Sequence, residues 1–206
     1  MNPFLTLPNQ LTLLRVILTP VFLYTYLHPS LELKNVSLFV FFFAMATDWY
    51  DGWVARRWGY ITKWGTFLDP LADKIFVSAS FFALVYVGLI PAFPVWLMVG
   101  RDLLITFLRI FFEMRGKHFQ TTFFAKTKTF LQFTLLYYIV IFSSVKANSS
   151  LSKYSSYSML EYLLDPAALS IATYAISLLT VWTGIKYLLH NKGILLGLFF
   201  DSKTAE

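Results

Sequence analysis

The sequence contains no cysteine, and this absence excludes disulfide bonds and thiolate metal sites. Histidine is also scarce, with three residues far apart in the chain, so a zinc site is not expected. Charged residues make up only 14% of the 206 positions, whereas a soluble domain has about 25%. A chain that is poor in charge and 57% hydrophobic is predicted to be an integral membrane protein.

The charge that is present is mainly basic, with 17 lysine and arginine residues against 11 acidic ones. The basic residues are spread between apolar segments, which disfavours nucleic acid as a partner. The first twenty residues have no basic n-region and no small-residue cleavage site, so they do not resemble a cleavable signal peptide. We expect a single domain over residues 1–206, with a short tail from about residue 191.

Hydrophobic runs and polar breaks predict an all-α integral membrane fold with six transmembrane helices. The predicted spans are Gln10–Tyr26, Val36–Arg57, Gly65–Ile90, Val95–Met114, Lys126–Val145 and Ala167–Leu189. The segment before the first span is expected at the cytoplasmic interface, and His28–Lys34 is predicted to be a polar connection. Loops on one side carry most basic residues, so both termini are predicted to lie in the cytoplasm, with the chain in the inner (cytoplasmic) membrane.

One stretch, residues 48–73, combines four carboxylates with arginine and glycine between two strongly apolar segments. A carboxylate near the bilayer centre costs about 2.5–3.5 kcal/mol on insertion scales, so four together indicate a functional site. The alternative is that these acids only cap helices at the interface. The pattern is D-x2-D-G-x2-A-R-x8-G-x3-D-x3-D, formed by Asp48, Asp51, Gly52, Ala55, Arg56, Gly65, Asp69 and Asp73.

Helical spacing divides this motif between two helix faces. Asp48 and Asp51 are three residues apart and share one face, while Gly65, Asp69 and Asp73 are spaced by four on the next helix. Two antiparallel helices can therefore bring four carboxylates into one cleft, where like charges require a counter-charge. Ligands that are all oxygen suit Mg²⁺ or Mn²⁺.

The other motif residues suit a ligand that carries phosphate. Gly52, Ala55 and Gly65 lack bulk where a ligand must approach the backbone closely. Arg56 offers a bidentate fork to phosphate oxygens, although it could instead be a topology anchor. Asp73, the last of the three motif residues on the second helix face, is the candidate general base.

With these eight positions and their spacing, the motif resembles that of the CDP-alcohol phosphatidyltransferase family. The resemblance implies a Mg²⁺- or Mn²⁺-dependent enzyme with six spans, commonly a homodimer. Such enzymes transfer a phosphatidyl group from CDP-diacylglycerol to an alcohol and release CMP. By position, the resemblance implies metal binding by Asp48, Asp51, Asp69 and Asp73, with Asp73 also as the base, and CDP binding by Gly52, Ala55, Arg56 and Gly65.

Segments outside the motif bear on the acceptor alcohol. LPNQLTLLRVILTPVF, FLDPLADKI, GRDLLITFLR and AKTKTFLQ resemble the bacterial members that make phosphatidylglycerophosphate from glycerol 3-phosphate. A phosphorylated acceptor needs cations, and Arg101 and Arg109, eight residues apart, share a helical face. The alternatives are pairing within the bundle, such as Arg109 with Glu113, or a role in topology. The candidates for the acceptor phosphate are Arg101, Arg109, Lys126 and Lys128.

Two other functions stay open from the sequence. Another acceptor within the same family would make the chain a cardiolipin synthase or a phosphatidylinositol-phosphate synthase. A divalent-cation transporter would use the carboxylates as a transport site. Such sites are expected at mid-membrane on broken helices, whereas these carboxylates are predicted at the cytoplasmic ends of the spans. The chain beyond about residue 145 carries no recognisable pattern.

Overall fold

The computed structural model describes residues 7–58, 63–115, 123–147 and 161–193. Side chains are described at residues 10–47, 50, 68, 70–115, 127–147 and 161–193. The described residues contain no strand, which confirms the predicted all-α fold. They form six long helices: α1 (Leu7–Leu27), α2 (Leu31–Trp58), α3 (Lys63–Tyr86), α4 (Ala92–Met114), α5 (Phe123–Ala147) and α6 (Pro166–His190).

Local chemistry explains where α4 and α6 begin. Gly88, with a φ of 79°, makes a left-handed turn after α3, and Pro91 directly precedes α4. Asp165 caps α6, because its side chain accepts a hydrogen bond from the backbone N–H of Ala168 at 2.8 Å. Pro166 then occupies the first turn, where its missing N–H costs no helical hydrogen bond.

The helix bounds agree with the predicted spans to within a few residues, except at the start of α2. The predicted connection His28–Lys34 was wrong for its second half, since α2 already begins at Leu31. Glu32 lies in the first turn of α2, where the helix dipole stabilises an acidic side chain. Residues 1–6 of the predicted interfacial segment and residues 194–206 of the predicted tail lie outside the described residues, whereas residues 7–9 already belong to α1.

Three segments of the described chain are long and apolar enough to cross a membrane, namely Gln10–Leu27, Thr127–Ala147 and Glu161–His190. They fall mainly on α1, α5 and α6, which contain no acidic residue, whereas α2, α3 and α4 each contain two or more. Large hydrophobic side chains are exposed on the outer surface, such as Phe39 at 77% and Trp96 at 64%. Such extensive apolar exposure indicates a protein surrounded by lipid.

A triad of phenylalanine rings joins the first three helices. Phe22 of α1, Phe41 of α2 and Phe76 of α3 are fully buried, and their ring centroids lie 5.5, 5.6 and 5.7 Å apart. Tyr137 of α5 packs edge-on against Phe41 at 5.1 Å. Aromatic pairs at these distances contribute about 0.5–1.5 kcal/mol each beyond area burial. The triad therefore fixes how α1, α2 and α3 lie against one another.

The second half of the chain packs through small residues. α4 contacts α3 and α6, and α5 contacts α2, α3 and α6. The buried face of α6 includes Thr173, Ser177, Thr180 and Gly184. Small residues at helix interfaces allow the backbones to approach closely. α6 can therefore lie close enough to α4 and α5 to share a site with them.

Candidate active site

The carboxylate motif lies on two consecutive helices, as the sequence predicts. The second half of α2 and the first half of α3 carry it. Of its residues, only Asp73 has a described side chain, so the convergence of the four carboxylates stays a prediction. The residues on α2 are Asp48, Asp51, Gly52, Ala55 and Arg56, and those on α3 are Gly65, Asp69 and Asp73.

Helical register relates the motif to the phenylalanine triad. Asp48 is seven residues after Phe41 on α2, and Asp69 is seven residues before Phe76 on α3. Seven residues are two turns, about 10.5 Å along the axis, and return to nearly the same helix face. Phe41 and Phe76 are in ring contact, and consecutive helices separated by only four positions are expected to run antiparallel, so we expect both carboxylate positions on the same side of the triad. This register supports the predicted cleft.

Arg15 of α1 lies at the same level. It is seven residues before Phe22, and α1 is antiparallel to α2 because the two helices pack together across a short connection. Its side chain is only 1% exposed, which excludes a snorkelling role at the membrane interface. A buried guanidinium is stable only with anionic or hydrogen-bonding partners. Its register places that charge at the level of Asp48 and Asp69.

Asp73 forms an ion pair with the adjacent Lys74, whose Nζ lies 3.3 Å from Oδ2. Both side chains are about one-fifth exposed. Lys74 also lines a cavity of about 670 Å³ between α3, α4, α5 and α6. Asp73 is not itself a lining residue, but its ion pair with Lys74 connects it to the wall of the cavity.

The cavity is strongly cationic. Among the described residues, four cations and one carboxylate line it: Lys74, Arg101, Arg109, Lys128 and Asp102. Such an excess of positive charge suits a phosphate. The structure thus brings together three of the four residues predicted for the acceptor phosphate, while the side chain of the fourth, at position 126, lies outside those described.

Asp102 and Lys128 form a buried ion pair between α4 and α5. The Lys128 ammonium donates to Oδ1 of Asp102 and to Oε1 of Gln132, the latter at 3.3 Å. The same Oδ1 accepts a hydrogen bond from Nη1 of Arg101 at 3.1 Å. One carboxylate therefore offsets two cations, and Asp102 is a site residue that the sequence did not indicate.

Helix α6 forms a wall of the cavity that sequence reasoning also missed. Nη2 of Arg101 donates to Oγ1 of Thr183 at 3.4 Å, and the Arg101 side chain lies against the backbone of Gly184. Tyr187, one turn further along α6, lines the cavity. The available signal was the run of small residues at positions 173, 177, 180 and 184, which indicates close helix packing.

Arg109 is the most exposed of the described cavity cations, at 47%. Its Nε donates to Oε1 of Glu113 at 2.8 Å, which is the pairing that the sequence offered as its alternative role. An exposed pair with this spacing contributes only about 0.3–0.5 kcal/mol. Arg109 can therefore exchange Glu113 for another anion.

The described side chains include no group of three or more histidine, cysteine or acidic residues that could hold a metal ion. The predicted ligands Asp48, Asp51 and Asp69 lie outside these side chains. As a donor set they supply only oxygen from two neighbouring helices, which fits a hard divalent cation such as Mg²⁺ or Mn²⁺.

Comparison with known proteins agrees with the motif. The profile described as CDP-alcohol phosphatidyltransferase matches residues 5–198. The CDP-diacylglycerol–glycerol-3-phosphate 3-phosphatidyltransferase of Haemophilus influenzae is 32% identical over 197 residues, which cover 92% of this chain and 95% of that protein. The Bacillus subtilis protein of the same name is 37% identical over 138 residues, covering 61% and 72%. This chain therefore belongs to the CDP-alcohol phosphatidyltransferase family.

Proposed function

We propose that this chain transfers the phosphatidyl group from CDP-diacylglycerol to sn-glycerol 3-phosphate, giving phosphatidylglycerophosphate and CMP. The proposal rests mainly on the cationic cavity, because Lys74 lines this cavity and also forms an ion pair with Asp73. An acceptor with both a phosphate and a hydroxyl can place the phosphate among the cavity cations and the hydroxyl towards Asp73. The names of the two relatives, which state this activity for those proteins, support the assignment.

The motif residues have separate roles in this reaction. Asp73 takes the proton from the attacking hydroxyl of the acceptor. The hydroxyl oxygen bonds to the β-phosphorus of CDP-diacylglycerol, the bond from that phosphorus to the bridging oxygen breaks, and CMP leaves with that oxygen. Arg56 holds a pyrophosphate oxygen through its fork of donors. Gly52, Ala55 and Gly65 allow the CDP moiety to approach the helix backbones.

Asp48, Asp51 and Asp69, together with Asp73, are the residues that would hold Mg²⁺ or Mn²⁺. A bound divalent cation neutralises pyrophosphate and stabilises the charge that develops during phosphoryl transfer. The four carboxylates would repel one another without such a counter-charge.

The acceptor phosphate is bound by Arg101, Arg109 and Lys128, with Lys126 nearby on α5. Asp102 offsets part of the charge of Arg101 and Lys128, so the cavity keeps its excess of positive charge. A phosphate monoester, which carries about two negative charges at pH 7, should bind there better than an uncharged alcohol. The acceptor is therefore selected by its phosphate.

We further propose that all six helices span the inner membrane as one domain, with the motif and both termini in the cytoplasm. Helices α2, α3 and α4 are 28, 24 and 23 residues long, and a span needs about 20. Because the chain has no cysteine, single cysteines at Ser30 and Met114 can test this orientation. A membrane-impermeant thiol reagent should label the first from outside and the second only after permeabilisation.

The homodimer implied by family membership is tested by the mass of the purified protein in detergent.

A panel of acceptors tests the proposed reaction. Purified protein is given CDP-diacylglycerol, Mg²⁺ or Mn²⁺, and either sn-glycerol 3-phosphate, phosphatidylglycerol or inositol phosphate, and CMP release is measured. We expect CMP release with sn-glycerol 3-phosphate and not with the other two acceptors. Release only with another acceptor would assign the chain to the cardiolipin or phosphatidylinositol-phosphate branch. Divalent-cation flux without CMP release would favour the transporter.

A further inference from the structure

Arg101 is held by α6 as well as by its own helix. Its Nη1 donates to Asp102 at 3.1 Å and its Nη2 to Oγ1 of Thr183 at 3.4 Å. The Thr183 hydroxyl donates its own proton to the carbonyl of Thr180 at 2.9 Å. Because that proton is already used, the hydroxyl oxygen can act only as an acceptor for the guanidinium.

Gly184 leaves the space that the Arg101 side chain occupies. A Cβ atom at position 184 would lie 2.7 Å from Nε and 2.9 Å from Cγ of Arg101. Both atoms belong to the middle of a side chain that is only 11% exposed, so moving its free end would not relieve the clash. The Nε atom is buried and has no hydrogen-bond partner among the described residues, as expected where it faces the glycine backbone. Any larger residue at position 184 would turn Arg101 away.

We propose that Gly184 is a positioning residue for Arg101 and, through it, for the phosphate of the acceptor. This inference rests on the function proposed above. Only a residue without a side chain allows the guanidinium to lie between Asp102 and Thr183 while it lines the cavity. Helix α6 thereby takes part in selecting a phosphorylated acceptor.

The test compares Gly184→Ala with Gly100→Ala. Gly100 lies on α4 directly before Arg101, and a Cβ atom there would meet nothing within 4 Å. We expect Gly184→Ala to raise the KM for sn-glycerol 3-phosphate about tenfold or more, because Arg101 no longer reaches the phosphate. The kcat and the KM for CDP-diacylglycerol should stay within about twofold, as should every parameter of Gly100→Ala.

An Arg101→Ala background separates positioning from a general packing effect. If Gly184 acts only through Arg101, adding Gly184→Ala to Arg101→Ala should leave the KM for sn-glycerol 3-phosphate unchanged. An equal rise in both backgrounds would overturn the inference. A KM for Gly184→Ala within about twofold of the wild-type value would overturn it as well.

Thr183→Val provides a second test of the inference if Gly184→Ala is not recovered as a folded protein. Valine keeps the shape of threonine but cannot accept the hydrogen bond from Arg101, so the KM for sn-glycerol 3-phosphate should rise by about threefold or more. Thr183→Ser keeps the hydroxyl and should restore the wild-type KM, and an unchanged KM in Thr183→Val would overturn the inference. No CMP release by the wild-type protein with this acceptor would instead contradict the proposed function itself.

Discussion

The Lys128 ammonium of α5 donates a hydrogen bond to the Asp102 carboxylate of α4, and the two side chains are only 4% and 8% exposed. Burial of two ions is tolerated only while they face each other, because each has lost its water. The pair also lies in the cavity that Arg101 and Lys74 line. It therefore contributes both to the stability of the bundle and to the charge of the site.

Asp102→Asn keeps the shape of the side chain but leaves Lys128 without its counter-charge. We expect the free energy of unfolding to fall by about 3–5 kcal/mol, the usual loss when one partner of a buried pair is removed. Glu113→Gln is the control, because its partner Arg109 is about half exposed and the expected loss is at most about 1 kcal/mol. Denaturant unfolding in detergent measures the free energy of unfolding of both variants. Similar losses in the two variants would contradict a special contribution of the buried pair to stability.

Arg101→Gln removes a cation from the cavity while keeping a side chain of comparable length. We expect the KM for sn-glycerol 3-phosphate to rise about 10- to 100-fold, because a hydrogen bond to a charged group contributes about 1.5–3 kcal/mol. The control is Arg115→Gln, since Arg115 stacks over Phe111 at 4.4 Å and is not among the cavity-lining residues. Steady-state kinetics at varied acceptor concentration measure this KM. An equal rise in KM for both variants would refute the role of Arg101 in binding the acceptor.

Asp73→Asn removes the candidate base with little change in volume. The expected result is a fall in kcat of about 10²- to 10⁴-fold, the usual contribution of a positioned base, while CDP-diacylglycerol still binds. Asp165→Asn is a matched control because asparagine caps α6 about as well as aspartate does. Full turnover by Asp73→Asn, measured as CMP release at saturating substrates, would remove Asp73 from the reaction.

Arg15→Met replaces a buried cation with an apolar side chain of similar length. Because Arg15 lies at the level of Asp48 and Asp69, we expect kcat/KM to fall about tenfold or more, equivalent to at least 1.4 kcal/mol of transition-state stabilisation. Lys186→Met is the control, since Lys186 lies over the Trp182 ring at 4.1 Å on the outer surface of α6. If the two variants were equally active, the charge of Arg15 would have no part in the site.

Metal removal tests the proposed ligand set. Excess EDTA should abolish CMP release, and Mg²⁺ or Mn²⁺ added beyond the chelator should restore it, because oxygen ligands prefer these cations. Zinc at the same concentration serves as the control and should restore little, since the motif contains no histidine or cysteine. Turnover that persists in EDTA would contradict a metal held by the carboxylates.

Local sequence features predicted the helices and the position of the motif well. Runs of apolar residues and the polar breaks between them act within a few residues, which is why six helices and most of their ends were predicted correctly. The start of α2 was missed because Glu32 and Lys34 suggest a loop by their polarity, although an acidic residue also stabilises a first helical turn.

The walls of the cavity depend on residues far apart in the chain. Arg101 and Thr183 are 82 positions apart, and no local pattern relates them. Lys128 and Asp102 come together only because α5 and α4 meet in the bundle. The sequence could therefore indicate cations for a phosphate, but the packing of α4 against α6 was needed to show which side chains position them.

We propose that the acceptor is sn-glycerol 3-phosphate and that it becomes part of a lipid. The most direct measurement supplies the purified protein with CDP-diacylglycerol, divalent metal and labelled sn-glycerol 3-phosphate, and follows the label into the lipid phase together with CMP. We predict one CMP released for each labelled molecule that enters lipid. CMP release without label in the lipid, or no transfer of label at all, would contradict the claim.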